Sequence, residues 1–256
     1  MLAETLRTLH RDLALQSLRR SLNVYYGDAP RDAAMDALYA QFLKAGQLAF
    51  DIGSHVGDRI GAFRRAGARV VALEPQPLCA RVIRAIYAGD DNVTLLESAC
   101  GPKAGSLTLH INSANPTVTT ASVDFVNAAD GAGGWEGQKW DTAIEVPVTT
   151  LDALIAAYGT PDFVKIDVEG FEADVLAGLS KPVPALSFEF TTIQRDVAHG
   201  CLDRLSQLGP YTFDVALGES QRLELGRWVD AATMRRTIDA LPHSANSGDV
   251  YAVVRS

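Results

Sequence analysis

The stretch FDIGSHVGD, residues 50–58, decides how the chain is read. Apolar residues lead into Asp51, Gly53 and Gly57 follow, and the pattern then becomes helical. That order is a strand running through a tight turn into a helix. Gly53 has no side chain to block a ligand that approaches the backbone, and Gly57 lets the helix pack tightly on the strand. The helix start presents free N–H groups. The spacing is G-x-x-x-G preceded by an acid, and it departs from the G-x-G-x-x-G of a dinucleotide site. A phosphate at this turn would meet the charge of Asp51, whereas a ligand with an ammonium group and no phosphate would be welcomed. Ser54, His55 and Asp58 complete the turn and join Asp51, Gly53 and Gly57 as candidate contacts to a bound cofactor. The competing reading is an ordinary strand–helix turn with a capping Asp.

Working outward, short β-type runs alternate with helical segments. The runs are LAFDIG at 48, RVVALEP at 69, NVTLLESA at 92, DFVKIDVEG at 162 and ALSFEF at 185. Helical segments include Val56–Arg65, Leu78–Tyr87, Leu151–Tyr158, Phe171–Leu179 and Asp203–Leu208. Such alternation implies βαβ units and a parallel sheet. YTFDVAL and DVYAVVR near the C-terminus read as a closing, hairpin-like pair. Between residues 105 and 147 the alternation breaks: LTLHI and AIEVPV are expected as extra strands, and DGAGGWEGQKWD as a mobile loop. Trp135 and Trp140 would either anchor that loop or form a lid over a ligand. Residues 1–46 are expected to form a helical cap before a domain spanning 47–256. Leu2, Leu6, Leu9 and Leu13 make one helical stripe there, and a second helix runs from Arg31 to Leu43. A surface helix packed on the body is favoured over a membrane or partner helix.

The chain has 256 residues, 47% of them hydrophobic and 21% charged, which suits one large α/β domain. A net charge of −8 argues against broad nucleic-acid binding. Three cysteines without CxxC or Cys/His metal spacing suit a reduced, cytoplasmic protein. No run approaches a membrane span, and no signal peptide is expected at the N-terminus.

Glu74 ends the second strand, 23 residues after Asp51, where a carboxylate can accept hydrogen bonds from ribose hydroxyls. An acid–glycine turn followed by a ribose acid is the pattern of enzymes that use S-adenosylmethionine. Glu97 and Ser98 end the third strand, either as a plain strand end or where enzymes of that cofactor class usually contact adenine. DFVKIDVEG places Phe163, Lys165 and Asp167 on one side of its strand and Val164, Ile166 and Val168 on the other. A Lys and an Asp within a parallel sheet are costly unless paired, so Lys165 is expected to pair with Asp167 or Glu189. A structural ion pair is one reading; the other places Asp167 and Glu189 at the carboxyl edge, where α/β sheets bind ligands. Methyl transfer from such a cofactor rests mostly on alignment, and a hydroxyl acceptor would gain from a base within reach. Asp167, Glu189 and His55 are base candidates, with His55 favoured as a loop residue and Lys165 as the residue that orients the acids. Glu169 is expected to favour the helix start beside it. Asp167 and Glu189 could supply two ligands for a divalent metal, but no third ligand is evident and a metal is disfavoured.

These residues carry a family resemblance. FDIGSHVGD, VALEP, the pair VPVTTLD and DFVKIDVEGFEADVLAG, and SFEF resemble class I methyltransferases of the FkbM family, over about residues 47–215. Ser54 and His55 stand where that family commonly shows Ala, which alters the loop's hydrogen bonding. The resemblance implies a Rossmann-like fold: a mostly parallel seven-stranded sheet with helices on both faces and a closing antiparallel strand. It also implies S-adenosylmethionine as cofactor and O-methylation of a sugar or polyketide hydroxyl. The acceptor would draw on Asn115, Thr120, Ser122, Trp135 and Trp140 in the insertion. Homo-oligomerisation stays open. The alternatives are an NAD-dependent oxidoreductase, disfavoured by the glycine spacing and Asp51, and a non-catalytic binding module that kept the fold.

Overall fold

The computed structural model describes residues 2–255. Three helices come first: α1 (Leu2–Arg11), α2 (Arg19–Tyr26) and α3 (Ala29–Tyr39). The alternation then runs β1 (Leu48–Ile52), α4 (Asp58–Arg65), β2 (Arg69–Leu73), α5 (Pro77–Ile86) and β3 (Val93–Leu96). The insertion holds β4 (Ala99–Cys100), β5 (Gly105–Ile111), α6 (Val123–Ala129) and β6 (Thr142–Thr149). The chain continues with α7 (Leu151–Tyr158), β7 (Phe163–Ile166), α8 (Glu172–Ala177), β8 (Ala185–Thr191) and α9 (Arg195–Leu208). It ends with β9 (Tyr211–Leu217), α10 (Ala231–Ala240) and β10 (Ser247–Val254).

Seven strands form one sheet in the order β3-β2-β1-β7-β8-β10-β9, parallel except for β10, which runs antiparallel to both its neighbours. This is the expected sheet, closing strand included. A second sheet, β4-β6-β5, contains the two expected extra strands. In the main sheet the strand order reverses between β1 and β7, and open α/β sheets bind ligands beyond such a switch point.

Both sheet faces are covered. On one, Phe50, Ile52, Val164, Ile166, Leu186 and Phe188 pack against α7, α8, α9 and α10. On the other, Ala49, Val70, Ala72, Phe163 and Tyr251 pack against Met35, Leu38 and Tyr39 of α3 and against Ile60 and Phe63 of α4. The N-terminal segment thus shares a core with the sheet. Its Leu9, Leu15, Leu18 and Leu22 also pack with Val56, Cys79 and Val82.

Local chemistry explains three departures from expectation. The leucine stripe does not continue as one helix: Asp12 accepts from Ala14 N at 2.9 Å and caps a new turn, leaving Leu13 77% exposed. The glycine-rich loop is anchored. Trp135 and Trp140 both meet Phe125 edge-on, and Trp140 Nε1 donates to the Val118 carbonyl at 2.8 Å. Helices α6 and α10 are additions to the sequence reading, and α9 starts eight residues earlier than expected, at Arg195 instead of Asp203.

Candidate functional site

A cleft of about 1010 Å³, its mouth included, lies beyond the carboxyl ends of β1, β2, β7 and β8. The glycine turn forms its floor. Gly53 and Ser54 each donate a backbone N–H to the Leu73 carbonyl at 3.0 Å, which ties the turn to β2. Gly53 has φ +84°, and a Cβ there would lie 1.8 Å from the Asp167 carbonyl oxygen. The close approach it permits is therefore between adjacent strand ends at the switch point, and not only to a ligand. Gly57, also at φ +84°, makes room for Tyr87 and Ile83, so it fits α4 against α5 where packing on the strand was expected.

Glu74 is held by the loop it faces. Its Oε2 accepts from His55 N at 2.7 Å and its Oε1 from Gln76 N at 2.8 Å. Each oxygen keeps lone-pair capacity for a further donor. Burial pushes the Glu74 carboxyl up to about 8, against the pull of the two amides. Asp51 is 1% exposed, and neither carboxylate oxygen has a partner among the described residues. Burial pushes it up to about 7. It is not among the residues that line the cleft; it lies one residue before Ile52 and two before Gly53, which do. Ser54 Oγ donates to the Asp51 carbonyl at 3.0 Å.

The remaining candidates around the turn divide. Ser98 lines the cleft, its hydroxyl committed to the Ala99 and Pro147 carbonyls. Glu97 does not line it: just past the end of β3 it pairs outward with Arg84 of α5, which corrects its adenine role. His55 is held among Tyr25, Cys79 and Thr117, and burial lowers it to about 4. Asp58 lines the cleft, but its Oδ2 accepts from both Arg31 and Arg59 at 2.7 Å, and the same arginines hold Glu219 at 2.8 and 3.1 Å. Its carboxylate is thus engaged by α3 and α4.

Lys165 is 1% exposed and absent from the cleft wall. It donates to Asp249 at 2.7 Å and to Asp167 at 3.1 Å. The Asp167 pairing was expected. The second partner is Asp249 rather than Glu189, because β10 lies beside β8 and pairs Asp249 with Glu189 in register. Burial alone would discharge Lys165, but the two carboxylates keep its ammonium protonated. At Asp167 burial opposes ionisation, but Lys165 and a hydrogen bond from Glu189 outweigh it and hold the carboxyl below its usual range. Burial and the neighbouring Asp167 and Glu169 push Glu189 well above the usual range.

Glu169 is the third carboxylate that the sequence reading missed. Oxygens of Asp167, Glu169 and Glu189 lie within 4.8 Å of one another. Glu169 adopts φ +55°, and its carbonyl accepts from Thr120 Oγ1 at 2.6 Å. Glu172 shapes the same loop by accepting from Val168 N at 3.0 Å and from Gly170 N at 3.1 Å. Burial, then Asp167, push Glu169 up as well.

Of the expected acceptor residues, Thr120, Ser122 and Trp140 do structural work. Thr120 is fully buried on the Glu169 carbonyl, Ser122 caps α6 by accepting from Phe125 N at 3.0 Å, and Trp140 anchors the loop. Asn115 and Trp135 line a second cleft next to the first. The sequence reading passed over Tyr25, Gln76, Thr117, Thr119 and Glu219, all of which line the main cleft. Gln76 could have been found as the residue two after the ribose acid. The others come from distant segments, and no local pattern marks them.

The main cleft is lined by Asp58, Glu74, Asp167, Glu169, Glu189 and Glu219 against one arginine, Arg59. Such a wall suits a cationic ligand. The unpartnered, buried Asp51 and the spare lone pairs of Glu74 fit an ammonium group and ribose hydroxyls, and Ile52, Leu73, Ala99 and Leu109 offer apolar surface for a purine. A sheet that reverses beside a glycine turn, under this acidic cleft, is that of a class I S-adenosylmethionine-dependent methyltransferase. The family model of the methyltransferase FkbM domain matches residues 51–208, well over half of the chain, and the chain belongs to that family.

Among solved structures, the chain is similar to a precorrin-6y C5,15-methyltransferase from Geobacter metallireducens. Identity is 15%, with 88% of this chain and 87% of that one covered, at a TM-score of 0.46. A putative rRNA methylase from Clostridium thermocellum matches at 8% identity over 86% and 93% of the two chains, TM-score 0.47. A variant of MtNAS solved with S-adenosylmethionine matches at 13% over 100% and 72%, TM-score 0.42. No curated protein matches the chain.

Proposed function

We propose that this methyltransferase acts on a hydroxyl of a small molecule, a sugar or polyketide-type acceptor. The observation that supports this most is the paired Asp167 and Glu189 at the cleft wall. Asp167 is fixed as a carboxylate by Lys165, and Glu189 has a raised proton affinity beside it. A hydroxyl nucleophile gains from such a group, because a base with raised proton affinity takes its proton more readily than an ordinary carboxylate does. Bound S-adenosylmethionine supplies an activated methyl group. Asp51, Glu74 and Ser98 hold it. Glu189 accepts the acceptor's proton, Asp167 orients Glu189, and Lys165 fixes Asp167.

We further propose that this chemistry uses no metal, since a carboxylate base beside the acceptor supplies what a hydroxyl nucleophile needs. The acidic lining speaks against a nucleic-acid acceptor. It also speaks against NAD, whose phosphates would meet it. No helix among the described residues is long and apolar enough to cross a membrane.

Two measurements test the reading. Calorimetry should find binding of S-adenosylhomocysteine and none of NAD; the reverse would overturn the cofactor assignment. Mass spectrometry over a panel of sugars, polyketide alcohols, amines and RNA should find a new methyl only on hydroxyls. Methylation of nitrogen, carbon or RNA would overturn the acceptor assignment.

A further inference from the structure

Beside the main cleft, a second one opens between α2 and the insertion, and the two share Tyr25 and Thr117. Their linings differ in sign. No Asp or Glu faces the second cleft, and Arg20 is the one charged residue in its wall. Arg20 is exposed and makes no ion pair among the described residues. Trp135, 8% exposed, also lines it, and its indole N–H is buried without an acceptor among the described residues. The Gln138 side-chain carbonyl is taken by Asn112 at 2.8 Å and by Asn115 at 3.2 Å, which leaves its amide N–H groups to donate. Ser21 and Asn246 complete the polar wall.

A guanidinium, an indole N–H and an amide with its carbonyl already spent form a wall dominated by donors. Acidic ligand groups accept from such a wall by charge-assisted hydrogen bonds. They would be repelled by the carboxylates of the main cleft, so the two clefts divide a ligand by charge. We propose that the methyl acceptor is an acidic hydroxyl compound. Its reacting hydroxyl enters past Tyr25 and Thr117, and a carboxylate or phosphate on its far part lies in the outer cleft against Arg20 and Trp135. This rests on the O-methylation reading and narrows its substrate class.

The test uses the full chain saturated with S-adenosylhomocysteine, titrated with methyl glucoside, glucuronate and glucose 1-phosphate and followed by calorimetry. At least one anionic probe should bind at least about tenfold tighter than the neutral one, the lower end of what one charge-assisted hydrogen bond contributes. Arg20→Gln and Trp135→Phe should each remove most of that preference and leave the affinity for S-adenosylhomocysteine unchanged. That unchanged affinity also certifies that the variants fold. Whether glucuronate or glucose 1-phosphate binds more tightly identifies the acid. Equal binding of all three probes, binding of none, or a preference that survives both substitutions would overturn the proposal. Anionic binding that depends on Arg20 and Trp135, without methyl transfer to any hydroxyl, would keep the anion site and overturn the O-methylation reading with the acceptor built on it.

Discussion

Cofactor affinity should be coupled to pH through Asp51, and Asp51→Asn should break that coupling. The Asp51 carboxyl is buried, lacks a partner among the described residues and is pushed up to about 7. Below pH 7 the free protein carries a neutral acid there, and an ammonium group gains little from it. Binding a cation favours the ionised form and must expel the proton. If the bound state is fully ionised, the apparent dissociation constant scales as one plus the ratio of proton concentration to the acid constant. Between pH 5.5 and pH 8 that ratio falls from roughly 30 to about 0.1, so affinity should rise about 30-fold, or about 2 kcal/mol. Calorimetry with S-adenosylhomocysteine in buffers of different ionisation enthalpy reads both the affinity and the proton released. In Asp51→Asn, affinity at pH 8 should fall by about 1.5–3 kcal/mol and the slope with pH should flatten. Glu74→Gln controls for the second raised carboxyl, because its role toward ribose hydroxyls needs no charge. An affinity flat over this range in the parent protein, or a slope that persists in Asp51→Asn, would refute the reasoning.

Other consequences can be measured without an acceptor or with any working one. Between about pH 4 and 7 the unfolded chain has lost the Asp51 proton and the folded protein has kept it, so stability falls as pH rises through that window. Ligand-free Asp51→Asn should therefore be more stable than the parent at pH 8, by about 1–4 kcal/mol in urea denaturation; a loss of stability would mean the burial cost has been misjudged. Gly53→Ala should cost more than about 3 kcal/mol, since its Cβ would sit 1.8 Å from the Asp167 carbonyl at φ +84°. A loss below about 1 kcal/mol would show that the two strand ends can separate. The rate of methyl transfer should rise with pH through an apparent pKa well above 4.5 that belongs to the Asp167–Glu189 pair, and this limb should vanish in Glu189→Gln. Exhaustive chelation should leave turnover within about twofold, because the roughly 10²–10⁴-fold of a general base is supplied here by a carboxylate. A large loss restored by magnesium would assign Asp167, Glu169 and Glu189 to a metal instead.

The sheet was legible because its chemistry is local. Each run from LAFDIG to ALSFEF carries its own apolar pattern, and the turn residues between the runs fix the alternation. The acids at strand ends were legible for the same reason, and Glu74, Asp167 and Glu189 line the cleft. Partners were harder. Asp249 lies 84 residues from Lys165 and meets it only because β10 inserts beside β8. Glu169 looked like a helix-start acid because nothing in DFVKIDVEG announces a left-handed residue at φ +55°. Tyr25, Thr117 and Glu219 reach the cleft from the N-terminal segment, the insertion and the turn after β9, and no periodicity records such convergence.

The two faces of the sheet account for where the site sits. Toward α8 and α9 the strands are apolar throughout. Toward α3 and α4 a polar row crosses the sheet in register, from Asp51 through Lys165 and Ser187 to Tyr251 and Asp214. Asp167, Glu189 and Asp249 lie further toward the cleft on β8, β10 and the end of β7. Burying so many polar groups is destabilising unless they are paired, and α3 and α4 bring part of the pairing. Arg31 and Arg59 tie Asp58 to Glu219, and the charge of Arg59 also acts on Asp51, Lys165, Asp167 and Asp249. The carboxylates of this face are thus paired by Lys165 on β7, Arg31 on α3 and Arg59 on α4. Asp51, left without a partner among the described residues, is the acid in this row with charge to spare for a ligand.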